Sequence, residues 1–302
     1  VSEWAWIPIV VGAAAAQTVR NAAQRSLIES AGVLPATFVR FFYGLPFAVV
    51  ALLAATTLRG APIPVPTLPF AAWLSLGAVA QLAATAFLIG AMAQRSFVVA
   101  VVYSKTEIVQ VGIFSIVFLG ESLTLFSVLA IFVATSGVLF LSAPSAAKSG
   151  LGREAWLSRG AMLGLASGAS FAVTAVAYRG AMIELAHPDA WVAGIYAVAW
   201  AQALQAALLG MYLAARDRRG LARTVTQWRA SLLAGATGAL ASIGWLTAFA
   251  LRSAVDVRIV GLVEVVFGYI VSRRLLAEAV SRGETTGIIL IVAGIVMVTL
   301  AR

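Results

Sequence analysis

The sequence predicts an all-α polytopic membrane protein, with ten transmembrane helices arranged as two inverted five-helix repeats. Three observations carry this expectation. Of 302 residues, 62% are apolar and only 11% charged, against about 25% charged in soluble domains. The apolar residues gather into ten runs of about 20, the length that crosses roughly 30 Å of hydrocarbon. The chain also matches itself at a fixed offset of 157 residues, which marks an internal duplication.

The spans follow in order. Trp4 to Gln24 begins directly after Glu3, with no basic segment or small-residue cleavage site before it, and is read as a retained span. Pro35 to Leu58 is the second. It ends in the stiff, four-proline stretch Arg59 to Pro69. Pro69 to Ala93 is the third, parted from Ser96 to Leu119 only by Gln94-Arg95; Gly120-Glu121-Ser122 then parts the fourth from Leu123 to Ser142. Breaks this short require antiparallel neighbours. After the polar connection Ala143 to Arg159 come Gly160 to Tyr178, Ala190 to Leu213, Ala230 to Leu251, Val255 to Leu276 and Glu284 to Ala301. The organisation is therefore a first repeat over 1–142, a connecting loop over 143–159 and a second repeat over 160–302. A further polar connection, Ala214 to Arg229, carries five Arg.

At the 157 offset, residues 91–141 align with 248–298 without a gap, and thirteen positions are identical. Polar identities matter most in so apolar a chain. Arg95 and Ser96 fall on Arg252 and Ser253, Glu107 on Glu264, Glu121 on Glu278 and Gly137 on Gly294. Five spans per repeat is odd, so the second repeat enters the membrane in the opposite direction, an arrangement shared by many secondary transporters.

Each repeat closes with a mid-span Glu, a second Glu fourteen residues on and a final apolar helix containing Gly. The stretches read TEIVQVGIFSIVFLGESLTLFSVLAIFVATSGVLFL and VEVVFGYIVSRRLLAEAVSRGETTGIILIVAGIVMVTL. They resemble the two EamA repeats of the drug/metabolite transporter superfamily. The Arg that opens that family's second helix is matched by Val39-Arg40-Phe41, while the second repeat has Val192-Ala193-Gly194 there; the Pro that often follows the mid-span Glu is replaced by Ile108 and Val265. The resemblance covers essentially the whole chain, and the layout is most similar to bacterial aromatic amino acid exporters. It implies a multi-pass protein of the bacterial cytoplasmic (inner) membrane that exports small metabolites, amino acids including aromatic ones, by alternating access around a central cavity. A passive channel or facilitator for small polar solutes, and an exporter of organic cations or drugs, stay open as alternatives.

Polar residues within spans are the candidate functional positions, because each costs free energy unless paired or hydrated. Gln17, Arg20, Asn21 and Gln24 recur at i, i+3, i+4 and i+7 and form one stripe, joined from span two by Arg40. The stripe lies towards a helix end, where Arg20 is expected either to reach lipid headgroups or to face a ligand. Span four is the most polar, with Tyr103, Lys105, Glu107 and Gln110 about its midpoint. The expected cavity lining is Tyr43, Gln81, Tyr103, Lys105, Glu107, Tyr178, Trp200 and Trp245. Deep Tyr and Trp need hydrogen-bond partners and suit stacking on a planar side chain. Glu107 and Glu264 are the candidates for ion coupling. An isolated carboxylate there is expected to be neutral because burial penalises its charge, which serves proton transfer and helix packing equally. Glu121 and Glu278 each precede a helix and read as structural.

An enzyme is not expected. Asp189, Asp217 and Asp256 are far apart in sequence and outside the mid-membrane zone, and no Walker-type phosphate loop occurs. With no Cys and a single His187, no metal site is expected, nor is any cofactor. The expected partners are a small-molecule substrate and lipid, without nucleic acid, and a monomer suffices. A formal charge of +9 is dispersed between apolar runs and reads as topology marking. Thirteen cations fall at one face, including Arg216, Arg218, Arg219, Arg223 and Arg229. Five fall at the other: Arg59, Arg179, Arg252, Arg258 and Arg302. The positive-inside rule places the richer face in the cytoplasm, whereas family members are often drawn with both termini inside, the opposite arrangement.

Overall fold

The computed structural model describes residues 3–92, 106–148, 159–267, 270 and 282–300. Among them every regular element is helical. The helices are α1 (Trp6–Ala31), α2 (Val33–Phe42), α3 (Gly44–Arg59), α4 (Leu68–Met92), α5 (Glu107–Leu119), α6 (Leu125–Lys148), α7 (Arg159–Leu185), α8 (Ala190–Arg216), α9 (Arg218–Thr226), α10 (Trp228–Leu251), α11 (Ala254–Gly261) and α12 (Arg282–Leu300). Five stretches are long and apolar enough to cross a membrane: Val33–Arg59, Leu68–Leu88, Arg159–Leu185, Ala190–Arg216 and Trp228–Leu251. Glu107–Leu119, Leu125–Phe140 and Thr285–Leu300 are shorter apolar helices.

Several boundaries differ from the sequence reading, each for a physical reason. The second predicted span is divided at Tyr43. Pro46 has no N–H to give the carbonyl of Phe42, and its ring crowds that carbonyl, so the helix is interrupted one turn before it. The first helix runs on to Ala31 and stops at Gly32, whose φ of 91° a side chain would resist. The seventh continues past Tyr178 to Leu185, because Arg179 finds an internal partner: its Nη1 donates to the Phe249 carbonyl at 2.6 Å. The polar connection Ala214 to Arg229 contains a helix of its own, α9. The Gln94-Arg95 break, Tyr103, Lys105 and Glu278 lie outside the described residues.

The chain forms two compact units: residues Val1–Val79 with Ala177–Arg252, and Ala80–Val176 with Ser253–Arg302. Each draws on both halves of the sequence.

In the first unit, α10 packs against α1, α2, α3 and α8. Small residues permit this closeness: a Cβ on Gly244 would lie 2.7 Å from Ala13 Cβ, and one on Gly235 2.6 Å from the Tyr43 carbonyl carbon. The helix ends meet in register. Asp189 caps α8 by accepting from the Trp191 and Val192 amides and pairs with Arg59 at the end of α3. His187 Nε2 lies 3.1 Å from the Pro62 carbonyl. At the ends of α1 and α9, Arg223 Nη1 donates to Ser30 O and Ser30 Oγ to Gln227 Oε1.

In the second unit, α6 packs along α12 and α5 against α11. The α6–α12 contact is reciprocal. A Cβ on Gly137 would fall 2.7 Å from Gly287 O and from Ile291 N, while one on Gly294 would fall 2.7 Å from Ala134 Cβ and 3.1 Å from Ala130 O. Residues 130, 134 and 137 are the offset partners of 287, 291 and 294, so equivalent positions meet across a local two-fold relation.

Candidate functional site

The second unit holds a charged site built from both repeats. Glu107 opens α5, where its carboxylate lies in the first turn. Arg258 lies in the last turn of α11. An acid at a helix start and a base at a helix end each complement the local dipole. The two meet at 2.5 Å, Arg258 Nη2 donating to Glu107 Oε1, with side-chain exposures of 24% and 9%. A charge-assisted contact of this kind is the strongest hydrogen bond available to these side chains.

Beside the pair is a cavity of about 20 Å³ lined by Glu107, Ile108, Arg258, Gly261, Leu262, Glu264 and Val265. That volume accommodates about one water molecule. Glu264 and Val265 are the offset partners of Glu107 and Ile108, so the two predicted coupling residues line the same small space. The backbone is irregular at this point. Leu262 N donates to Ile259 O at 3.1 Å and Val265 N to Leu262 O at 2.9 Å, three-residue steps that tighten the helix at Gly261–Leu262. An interrupted helix facing a polar cavity recurs where membrane transporters hold ions.

This arrangement corrects one premise of the sequence reading. Glu107 is not an isolated carboxylate; it has a cation partner. Arg258 reads in the sequence as a topology marker, yet it lies within the predicted ninth span, and its place four residues into an apolar run is the signal that could have found it. Arg179, which donates to Phe249 O, and Arg252, whose guanidinium lies 5.8 Å from the Trp6 ring centroid, likewise make internal contacts. With Arg59 paired to Asp189, four of the five cations assigned to the poorer face therefore have partners in the protein.

The polar stripe lies in the first unit. Because α1 continues beyond Gln24, Arg20 is inside the helix and buried at 6% exposure, rather than at a hydrated terminus. Its Nε and Nη2 donate to Asn21 Oδ1. Arg20 and Arg40 converge on α10, their Cδ and Cγ atoms 3.3 and 3.2 Å from where a Gly238 Cβ would be. Gln17 Oε1 accepts from the Trp245 indole at 3.1 Å, so a predicted stripe residue and a predicted cavity aromatic are joined. Gln24 Nε2 bonds to the Ala36 carbonyl at 2.7 Å, a role in holding α1 to α2.

The remaining predicted lining residues divide. Tyr178 is buried against Gly77, with Gln205 Nε2 at 3.4 Å from its hydroxyl. Gln205 also donates to Ala78 O at 3.1 Å. Tyr43, at the joint of α2 and α3, donates to Thr224 O at 3.3 Å. Gln81 is half-buried on α4. Trp200 is 51% exposed and shares the exposed stripe of α8 with Ala207 and Met211, an apolar face of the kind that meets lipid. It stands apart from the Tyr178–Gln205 group.

Gln202, absent from the sequence-based candidates, is 2% exposed, and neither atom of its amide has a hydrogen-bond partner among the described residues. The amide lies 3.0–3.1 Å from where a Gly44 Cβ would be, beside the interruption of the second span. A buried orphan amide costs about 1–3 kcal/mol. Residue type alone gives no reason to single it out from Gln205, one turn on.

Compared with known proteins, the chain matches no family model and no curated protein. Its fold is similar to a solved structure described as "Crystal structure of protein", with a TM-score of 0.72 and 19% identity, over 98% of this chain and 97% of that one. At that identity the likeness concerns the fold.

Proposed function

We propose that the chain is a secondary transporter of EamA type in the drug/metabolite transporter superfamily. In this reading it exports small metabolites, amino acids including aromatic ones, across a bacterial cytoplasmic membrane by alternating access between two inverted repeats. The observation that carries the proposal is the meeting of Glu107 and Glu264, equivalent by the 157 offset, at one water-sized cavity with Arg258. Two carboxylates with one guanidinium supply a site whose charge a single cation or proton can change, which is what coupling requires. The helix interruption at Gly261–Leu262 and the reciprocal packing of Gly137 and Gly294 support a duplicated, movable architecture. Tyr43, Gln81, Tyr103, Lys105, Tyr178 and Trp245 are the proposed substrate contacts.

The ion pair also favours a second reading. Glu107 already has its counter-charge in Arg258, so it needs no transported proton to be accommodated, and an uncoupled facilitator is consistent with that. Purified protein in liposomes separates the two. Under an imposed pH gradient, the coupled reading expects labelled phenylalanine to accumulate, and Glu107→Gln to abolish accumulation while leaving downhill exchange intact. Accumulation that survives Glu107→Gln removes the coupling role. Flux that neither saturates nor shows counterflow removes the transporter reading in favour of a channel.

A further inference from the structure

The connection between α8 and α10 carries a second functional surface. α9 is capped at its start by Asp217, whose Oδ1 accepts from Gly220 N at 2.8 Å. Its inner face is Gly220 and Thr224, the latter 1% exposed. A Cβ on Gly220 would fall 2.6 Å from Pro35 Cγ, so the helix is laid close against the start of α2. The Thr224 carbonyl accepts from the Ser231 and Tyr43 hydroxyls, and Arg223 Nη1 donates to Ser30 O. These contacts fix which sides of α9 face outward.

One outward flank is apolar. Leu221 and Val225 lie one turn apart on α9 and Trp228 opens α10 just beyond it, with Val225 62% and Trp228 53% exposed. Met211 and Tyr212 of α8 and Leu232 and Leu233 of α10 are exposed as well. The other flank is cationic. Arg219 and Arg223 lie one turn apart and exposed, with Arg216, Arg218 and Arg229 exposed nearby. Among the described residues none of these five is in an ion pair. The Asp217 carboxylate among them is engaged in capping. Arg223 keeps N–H groups beyond the one given to Ser30, since a guanidinium carries five.

A short helix with an apolar flank beside an arginine flank, set between two helices long and apolar enough to cross a bilayer, has the form of an interfacial helix. We propose that α9 binds the phosphate of anionic phospholipid headgroups through Arg219 and Arg223, while Val225 and Trp228 enter the upper acyl region. Trp228 suits that depth, and the Arg229 guanidinium 5.4 Å from its ring centroid adds a cation at the headgroup level. The inference rests on these helices crossing a bilayer and is independent of what the chain transports.

The test uses the full chain in neutral detergent, with bound lipid counted by native mass spectrometry during titration with phosphatidylglycerol or phosphatidylcholine. Phosphatidylglycerol should bind at least tenfold more tightly. Arg219→Gln with Arg223→Gln should remove that preference, at about fivefold per lost charge, whereas the corresponding Lys pair should keep most of it. Far-UV circular dichroism checks that each variant is folded; should the Gln pair fail to fold, Arg219→Gln alone carries the test, since that side chain points outward and makes no ion pair. Equal binding of the two lipids, or a preference that survives folded Gln variants, overturns the proposal. Displacement of bound phosphatidylglycerol by millimolar inorganic phosphate also overturns it, because the surface would then be a site for free phosphate.

Discussion

Replacing Arg258 by Met leaves Glu107, 7% exposed, without its cation. Removing one member of a buried ion pair costs about 3–5 kcal/mol, whereas replacing both by apolar residues of similar volume is close to neutral. The Arg258 side chain is 24% exposed, so water offsets part of the loss and the lower end, about 3 kcal/mol, is expected for Arg258→Met. Glu107→Leu takes its carboxylate partner from a guanidinium that water can partly reach and should cost about 2 kcal/mol. The double variant Glu107→Leu/Arg258→Met should lie within about 1 kcal/mol of the parent.

The two single losses therefore sum to more than the double, with a coupling of about 4 kcal/mol by these figures and at least about 2 kcal/mol if each is halved. The measurement is unfolding in mixed micelles of rising denaturing-detergent fraction, followed by far-UV circular dichroism for all four proteins. A double variant as unstable as the two single losses added together would show that Glu107 and Arg258 do not depend on one another. The charged site would then not be a coupled pair, whatever the chain transports.

Partial burial pushes the Asp189 carboxyl up, but the Arg59 guanidinium and the Val192 and Trp191 amides together outweigh it and hold the group below its ordinary value of 3.8. A group lowered on folding contributes stability above its unfolded value and loses it as pH falls through the folded one. Thermal melts from pH 6 to 2 should thus show a loss below about pH 4 that Asp189→Asn reduces, and identical pH profiles would refute the assignment. Gln202→Leu removes an orphan amide and should stabilise the protein by up to about 1–3 kcal/mol. If the amide serves substrate or a second conformation, uptake falls in that more stable protein; unchanged uptake denies it a role in transport.

Helical character is legible because it rests on composition and run length, which are properties of local sequence. The third predicted span, Pro69 to Ala93, is nearly the observed α4, since proline marks its start and nothing interrupts its interior. Reading fails where partners lie far apart in the chain. Arg179 ends a predicted span because an Arg in apolar surroundings is costly, yet Phe249, seventy residues on, provides its carbonyl. Arg20 reads as terminal because a polar stripe has the pattern of a helix end, and only packing against α10 shows it to be internal. Arginine in α9 is visible as charge but not as a helix, because its amphipathic pattern is nine residues long and bordered by other helices.

The repeat relates Glu107 to Glu264 and Ile108 to Val265, but it does not extend to the cation: the offset partner of Arg258 is Val101. A strictly duplicated site would give each carboxylate the same counter-charge, and the two would be interchangeable. Here the second repeat supplies a guanidinium that pairs with the carboxylate of the first, in the last turn of α11 and just before the interruption at Gly261–Leu262. The two matched carboxylates are thus distinguished by one unshared arginine, which gives Glu107 a guanidinium partner from α11.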